Sequence, residues 1–238
     1  MNLVSLQFIT TNNFEDNLQK LVELIKQTPN NSLILAPELC LSGYSYESMQ
    51  NAADFTLHAI EILKQLASNK IISLTMTTKI DENYYNTLYI FSKKKIVHTQ
   101  SKHHLFPLGE EEKYFTSGNA EDIKLIEIDG LKIAALICFE LRFTNLWDRV
   151  KGADIILVPA MWGKIRKTHY ETLTQALSIS NQCYVIASDS ANKDMAKGSG
   201  VIDPFGDCYR DDYAEILAKK YEPSLIKKMR RYINTGIN

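Results

Sequence analysis

Cysteine is scarce in this chain: four residues, at positions 40, 138, 183 and 208 of 238. They are neither dense enough for a disulfide framework nor spaced as paired metal ligands, which points to a reducing compartment and leaves Cys40, Cys183 and Cys208 as structural or incidental residues. Excess charge of one sign is also missing. Lys and Arg number 27 against 28 Asp and Glu, a formal charge of −1, so no nucleic-acid partner is expected. No apolar run approaches the roughly 20 residues of a membrane-spanning helix. The first nine residues, Met1 to Ile9, have no basic lead and no small-residue cleavage site, and they alternate like a strand. The expectation is a cytoplasmic protein without a membrane partner. No linker or internal repeat divides the chain, so a single domain is expected over 1–238.

What is present is 45% hydrophobic residues, enough for one well-buried core. Leu3 to Phe8 reads as a strand, and Phe14, Leu18, Leu21, Val22 and Ile25 recur at helical spacing behind a cap at Asn12 or Asn13. Strand is predicted again at Leu33–Ala36, helix from Asp54 to Asn69 and strand over Ile71–Thr77. Two β-rich runs between Tyr84 and Gln100 flank the charged turn Ser92 to Lys95. Asp129-Gly130 joins Ile123–Ile128 to Leu131–Ile137 as a hairpin. Helix, strand, helix and strand follow at Thr144–Lys151, Asp154–Val158, Thr168–Asn181 and Tyr184–Ser188. This mixture of hairpins and crossovers predicts an α/β (α+β) fold with two sheets face to face and helices outside.

Cys138 stands out among the cysteines. The apolar run Leu131-Lys-Ile-Ala-Ala-Leu-Ile137 ends abruptly at its thiol, and Phe139-Glu-Leu-Arg-Phe143 follows. A buried strand therefore meets its connecting turn there, where open α/β sheets place their chemistry. A free cysteine is usually a small buried hydrophobe, and a nucleophile needs a base and an oxyanion donor as company. Two segments offer them. In Ser32-Leu-Ile-Leu-Ala-Pro-Glu-Leu-Cys-Leu-Ser-Gly-Tyr44, Glu38 follows a strand that Pro37 ends, flanked by apolar residues that raise a carboxyl pKa by burial. In Ser101-Lys-His-His-Leu-Phe-Pro107, Lys102 follows the strand-like Lys95–Gln100, with Leu105, Phe106 and Pro107 to shield its stem.

Taken in order, Ala36-Pro-Glu-Leu39, Lys102 with His104-Leu-Phe106, and Cys138-Phe-Glu-Leu-Arg-Phe143 resemble the blocks of the nitrilase or carbon-nitrogen hydrolase superfamily. Gly152–Ala160, Trp162, His169-Tyr-Glu-Thr-Leu173, Asn181–Val185 and Gly198–Gly206 extend the resemblance to about residue 218. It implies a four-layer αββα sandwich that commonly dimerises through helices after the cysteine, so a homodimer or higher homo-oligomer is expected. It further implies Glu38 as general base, Lys102 as oxyanion stabiliser and Cys138 as nucleophile. A second active-site glutamate seven residues before Gly118 would be Glu111, with Glu110 and Glu112 as its neighbours. The Phe139 N–H would share the oxyanion, and Arg142 and Trp162 would contact substrate. Neither a metal nor an organic cofactor is implied.

Where the amidase-like relatives carry Tyr-Asp-Leu-Arg-Phe after the cysteine, this chain has Phe139-Glu-Leu-Arg-Phe143, and the Trp-Glu-Asn of the nitrile-cleaving branch is absent. Amide chemistry is therefore expected over nitrile chemistry. The pattern is similar to that of ω-amidases and deaminated-glutathione amidases, which act on short carboxylate-bearing amides. A small-molecule ω-amide is the expected substrate, with Arg142 or Lys164 to receive its carboxylate. N-carbamoyl hydrolysis, a non-catalytic scaffold, and a Cys-His hydrolase using His103, His104 or His169 are the alternatives. A further departure is Ala176-Leu-Ser-Ile-Ser-Asn181, where relatives often read Ala-Arg-Ala-Ile-Glu-Asn; a supporting ion pair is expected to be lost. Over 219–238 a helical tail is expected, placing Leu225, Ile226, Met229 and Ile233 on one face with Lys227, Lys228, Arg230 and Arg231 elsewhere, docked on its own or a partner subunit.

Overall fold

The computed structural model describes residues 1–237; Asn238, the last residue of the expected domain and tail, lies outside them. In chain order the elements are β1 (Asn2–Leu6), α1 (Phe14–Gln27), β2 (Ser32–Leu35), α2 (Met49–Leu66), β3 (Ile71–Ile80), β4 (Asn83–Ser92), β5 (Lys95–Ser101), β6 (Ile126–Ile128) and β7 (Leu131–Ala135). There follow α3 (Thr144–Arg149), β8 (Ile155–Pro159), α4 (Lys167–Asn181), β9 (Tyr184–Ser188), β10 (Gly200–Ile202), β11 (Cys208–Arg210), β12 (Ile216–Lys220) and α5 (Pro223–Tyr232).

The strands form two six-stranded mixed sheets, ordered β12-β1-β2-β3-β4-β5 and β11-β10-β9-β8-β7-β6. In each, three parallel neighbours joined by helical crossovers are extended at their flanks by antiparallel strands. Period-two alternation sorts the side chains of the first sheet. Leu3, Leu33, Leu35, Leu88 and Ile90 join the core shared with the second sheet, whereas Val4, Leu6, Ile34, Ile72, Leu74 and Phe91 meet α1 and α2. Polar bonds also cross between the sheets. Ser5 Oγ donates to the Ala187 carbonyl and Ser188 Oγ to that of Leu6, each at 2.6 Å.

Local chemistry accounts for the element ends. Asn13 caps α1, its side chain accepting from the Glu15 and Asp16 N–H groups, a bond worth about 1 kcal/mol. The β4–β5 hairpin turns on Lys93 and Lys94, both left-handed at φ 50° and 61°, as a two-residue hairpin requires; the turn is charged and solvated. Asp129-Gly130 makes the equivalent turn between β6 and β7.

Three strands escape the periodicity argument. β10, β11 and β12 are three to five residues long, and β11 and β12 are partly exposed, so they carry too few buried positions for an alternating pattern. Their pairing is long-range: β12 lies antiparallel on β1, Asn2 opposite Lys220. The tail helix α5 docks on its own chain, burying Ile226 and Met229 and donating from Arg230 to the Ala153 carbonyl at 2.7 Å, while Ile233 stays half exposed. At the position where an ion pair was expected to be lost, Leu177 is fully buried in the core. Among the described residues no helix is long and apolar enough to cross a membrane.

Candidate active site

Strands β2, β5 and β7 end on the same side of the sandwich, and each delivers one polar side chain to a common point. After β2 the chain passes Pro37 and turns at Leu39, whose left-handed φ of 46° is held by a 2.7 Å bond from its N–H to Thr75 Oγ1. This turn directs Glu38 inward, where it has no solvent exposure. Glu38 Oε1 accepts from Asn86 Nδ2 and Lys102 Nζ, both at 2.8 Å, and Oε2 has no hydrogen-bond partner.

Lys102 follows β5 and is itself fully buried. Its ammonium also reaches Glu111 Oε1 at 2.8 Å and Tyr44 Oη at 3.4 Å. The loop that carries Glu111 leaves Lys102 and returns to it at Gly118, whose N–H donates to the Lys102 carbonyl at 2.8 Å. A Cβ at Gly118 would lie 2.2 Å from the Ser101 carbonyl oxygen, so only glycine permits this closure. Within the loop Glu111 turns inward and accepts from Tyr44 Oη at 2.9 Å, whereas Glu110 points to solvent and pairs with Lys113.

Cys138 opens a 3-10 turn, Cys138–Arg142, three residues beyond the end of β7. Its φ of 51° is unusual for a side chain with a Cβ. Glu140, within the turn, is fully buried and accepts from the Ile137 N–H and from the His103 N–H, each at 2.6 Å. No backbone carbonyl among the described residues accepts from Phe139 N–H.

Burial dominates the titration of the group. It pushes the Cys138 thiol well above its usual value, and the Glu38 carboxylate adds to this while Lys102 opposes it. For Lys102 burial favours the neutral amine, but Glu38, Cys138 and Glu111 outweigh it and hold the ammonium charged. Burial raises Glu111 against the pull of Lys102. Glu140 is pushed up to about 7 by burial, its backbone donors and Lys102 resisting.

Cys138, Phe139 and Glu111 line a cavity of about 240 Å³ together with Tyr44, Phe106, Arg142, Trp162 and Arg166. Arg142 lies over the Trp162 ring at 4.6 Å and Arg166 over Phe106 at 5.1 Å. Neither guanidinium has a carboxylate partner among the described residues. Burial, and then the neighbouring Arg166, push the Arg142 pKa down. The structure thus brings all seven residues singled out in the sequence to one place. Lys164 is exposed and does not line the cavity; Arg166, two residues on, takes the position considered for it. The three histidines stay out of the cavity: His103 bonds the Gly118 carbonyl, His104 stacks on Phe143 and His169 meets Arg142. Tyr44, Asn86 and Arg166 carry no local sequence signal for the site, and Glu140 shows in the sequence only as a departure from the aspartate of relatives.

Two mixed sheets flanked by helices are also the architecture of solved nitrilase-superfamily structures. Nit3 of Saccharomyces cerevisiae, from branch 10 of that superfamily, superposes with a TM-score of 0.87 at 23% identity over 99% of this chain and 95% of its own. Residues 3–212 match the family model described as carbon-nitrogen hydrolase. A 2-oxoglutaramate amidase of Bacillus subtilis is 31% identical over 204 residues, 80% of this chain and 78% of that protein. Omega-amidase YafV of Escherichia coli is 28% identical over 199 residues, 80% and 76% of the two chains. The chain belongs to the carbon-nitrogen hydrolase family and is an amidase-type enzyme for carbon–nitrogen bonds other than peptide bonds.

Proposed function

We propose that this enzyme hydrolyses the terminal amide of a short, carboxylate-bearing ω-amide to a carboxylate and ammonia, through a thioester on Cys138. The observation that carries the reading is a buried ammonium held 2.8 Å from both Glu38 and Glu111, beneath a cavity that contains Cys138 and two arginines without carboxylate partners.

The thiol rests neutral because burial and two nearby carboxylates disfavour its anion. Glu38, whose Oε2 is unpartnered, takes the proton as sulfur attacks the amide carbon, so no free thiolate has to form. Negative charge passes to the carbonyl oxygen, where Lys102 Nζ and the Phe139 N–H stabilise it without reorganising. Protonated Glu38 then gives its proton to the amide nitrogen, the C–N bond breaks, and ammonia leaves a thioester. Water attacks that thioester, Glu38 accepts its proton, and collapse of the second tetrahedral species returns the proton to sulfur and releases the acid. Glu111 keeps the ammonium aimed through the whole cycle, and Tyr44 steadies Glu111.

Arg142 and Arg166 supply the end of the site that binds an anion, while Phe106, Phe139 and Trp162 exclude water around the chain between the two ends. The names of the relatives, 2-oxoglutaramate amidase and omega-amidase, support the same substrate class. The test is ammonia release from a panel of ω-amides, neutral amides and N-carbamoyl amino acids. The ω-amides should be cleaved fastest, and iodoacetamide labelling of Cys138 should abolish the activity. Turnover of the N-carbamoyl compounds alone, or a rate unchanged by alkylation, overturns the proposal.

A further inference from the structure

Resting on the proposed role of Lys102 and Cys138, we propose that Glu140 is a positioning residue that sets the nucleophile against the oxyanion lysine by clamping their two loops together. Its two carboxylate oxygens make separate bonds. Oε2 accepts from the N–H of Ile137, the residue before Cys138, and Oε1 accepts from the N–H of His103, the residue after Lys102, each at 2.6 Å.

Cys138 and Lys102 come from different sheets, β7 of one and β5 of the other. Gln100 also links the two strands, donating to the Ala135 carbonyl at 3.2 Å, but the Glu140 carboxylate joins the residues directly adjacent to the two groups, Ile137 and His103. Its side chain has no exposure to solvent, so water does not compete for either N–H. The bond to Ile137 also closes the first turn around Cys138, whose left-handed backbone requires support from its surroundings. In its ionised form, which prevails above about pH 7, this one side chain therefore holds the strained elbow and fixes how far its sulfur stands from the Lys102 ammonium.

A carboxylate suits this task and an amide does not. Both donors are backbone N–H groups, and a carboxylate is acceptor-only at both oxygens; a glutamine presents an NH₂ to one of them and loses that bond. An aspartate, one methylene shorter, keeps two acceptors and has to draw the loops closer.

The experiment compares the full-length wild-type enzyme with Glu140→Gln and Glu140→Asp, with the melting temperature recorded for each. With an ω-amide that the wild type cleaves, Glu140→Gln should lower kcat of the order of a hundredfold, the scale of an ångström-sized misplacement, and leave KM within about threefold. The rate of Cys138 alkylation by iodoacetamide should fall in parallel, and Glu140→Asp should recover at least about tenfold of both losses. Glu140→Gln with wild-type kcat and alkylation rate overturns the inference, as does a loss expressed wholly in KM. If Glu140→Gln does not fold, Glu140→Asp decides: a reduced kcat and slower alkylation at wild-type KM support the clamp, and unchanged values overturn it. If the wild type cleaves no amide in the panel, the substrate reading fails by itself, and the alkylation rates still decide the role of Glu140.

Discussion

Glu38 and Lys102 form an ion pair at 2.8 Å in which neither side chain has any solvent exposure. Two charges removed from water are tolerable only together, because each alone carries an unrecovered desolvation cost. Lys102→Ala leaves Glu38 and Glu111 as two buried carboxylates without their shared cation. The expected loss is about 3–5 kcal/mol of stability by urea denaturation, together with at least about a hundredfold in kcat. Glu38→Gln keeps the shape and an acceptor for Lys102 while removing the base, so kcat should fall by about a hundredfold or more with a smaller loss of stability than Lys102→Ala.

Tyr44 donates to the same Glu111 oxygen that receives Lys102. Tyr44→Phe keeps the ring in its edge contacts with Tyr46 and Phe115 and removes only the hydroxyl. A hydrogen bond to a charged group is worth about 1.5–3 kcal/mol. Steady-state kinetics should record a kcat lower by about tenfold or more, and the melting temperature should fall by several degrees, about 2–4 °C per kcal/mol lost.

Arg166 faces the cavity with no carboxylate partner among the described residues. Arg166→Met should raise KM for an anionic ω-amide by about tenfold, the scale of one charge-assisted hydrogen bond. The kcat/KM of a neutral amide of equal length should stay within about twofold. Equal losses on both substrates would assign Arg166 to packing on Phe106 alone.

Burial raises Glu140 from 4.5 to about 7, so in this pH range the folded protein binds a proton more readily than the unfolded chain. Its contribution to stability is complete below about pH 4.5 and is lost as pH rises through about 7, up to about 3 kcal/mol. Wild-type stability should accordingly fall between pH 5 and 8 by more than that of Glu140→Gln, which has no proton to lose there. Urea denaturation of both proteins at the two pH values gives the difference directly. Parallel curves would place the ionisation of Glu140 outside this window.

Periodicity made most elements legible. Leu18, Leu21 and Ile25 at helical spacing, Asp129-Gly130 between two β-rich runs, and an apolar stretch ending at Cys138 all report local preferences that the folded chain keeps. Gly118 was legible as a marker, and its reason is the 2.2 Å approach of the Ser101 carbonyl. Arg166 was not legible, because a charged residue at the start of a helix reads as solvated until the cavity it faces is known. Nor was Glu140, whose two donors lie 3 and 37 positions away in the chain.

The order of Glu38, Lys102 and Cys138 and the apolar strands that precede them are written in the chain, since burial and strand termination follow from neighbouring residues. Which carboxylate of Glu110, Glu111 and Glu112 meets the ammonium, and which arginines rim the cavity, only the tertiary structure decided. Those choices depend on the path of the loop between Lys102 and Gly118 and on two sheets meeting face to face, long-range contacts that no local pattern specifies.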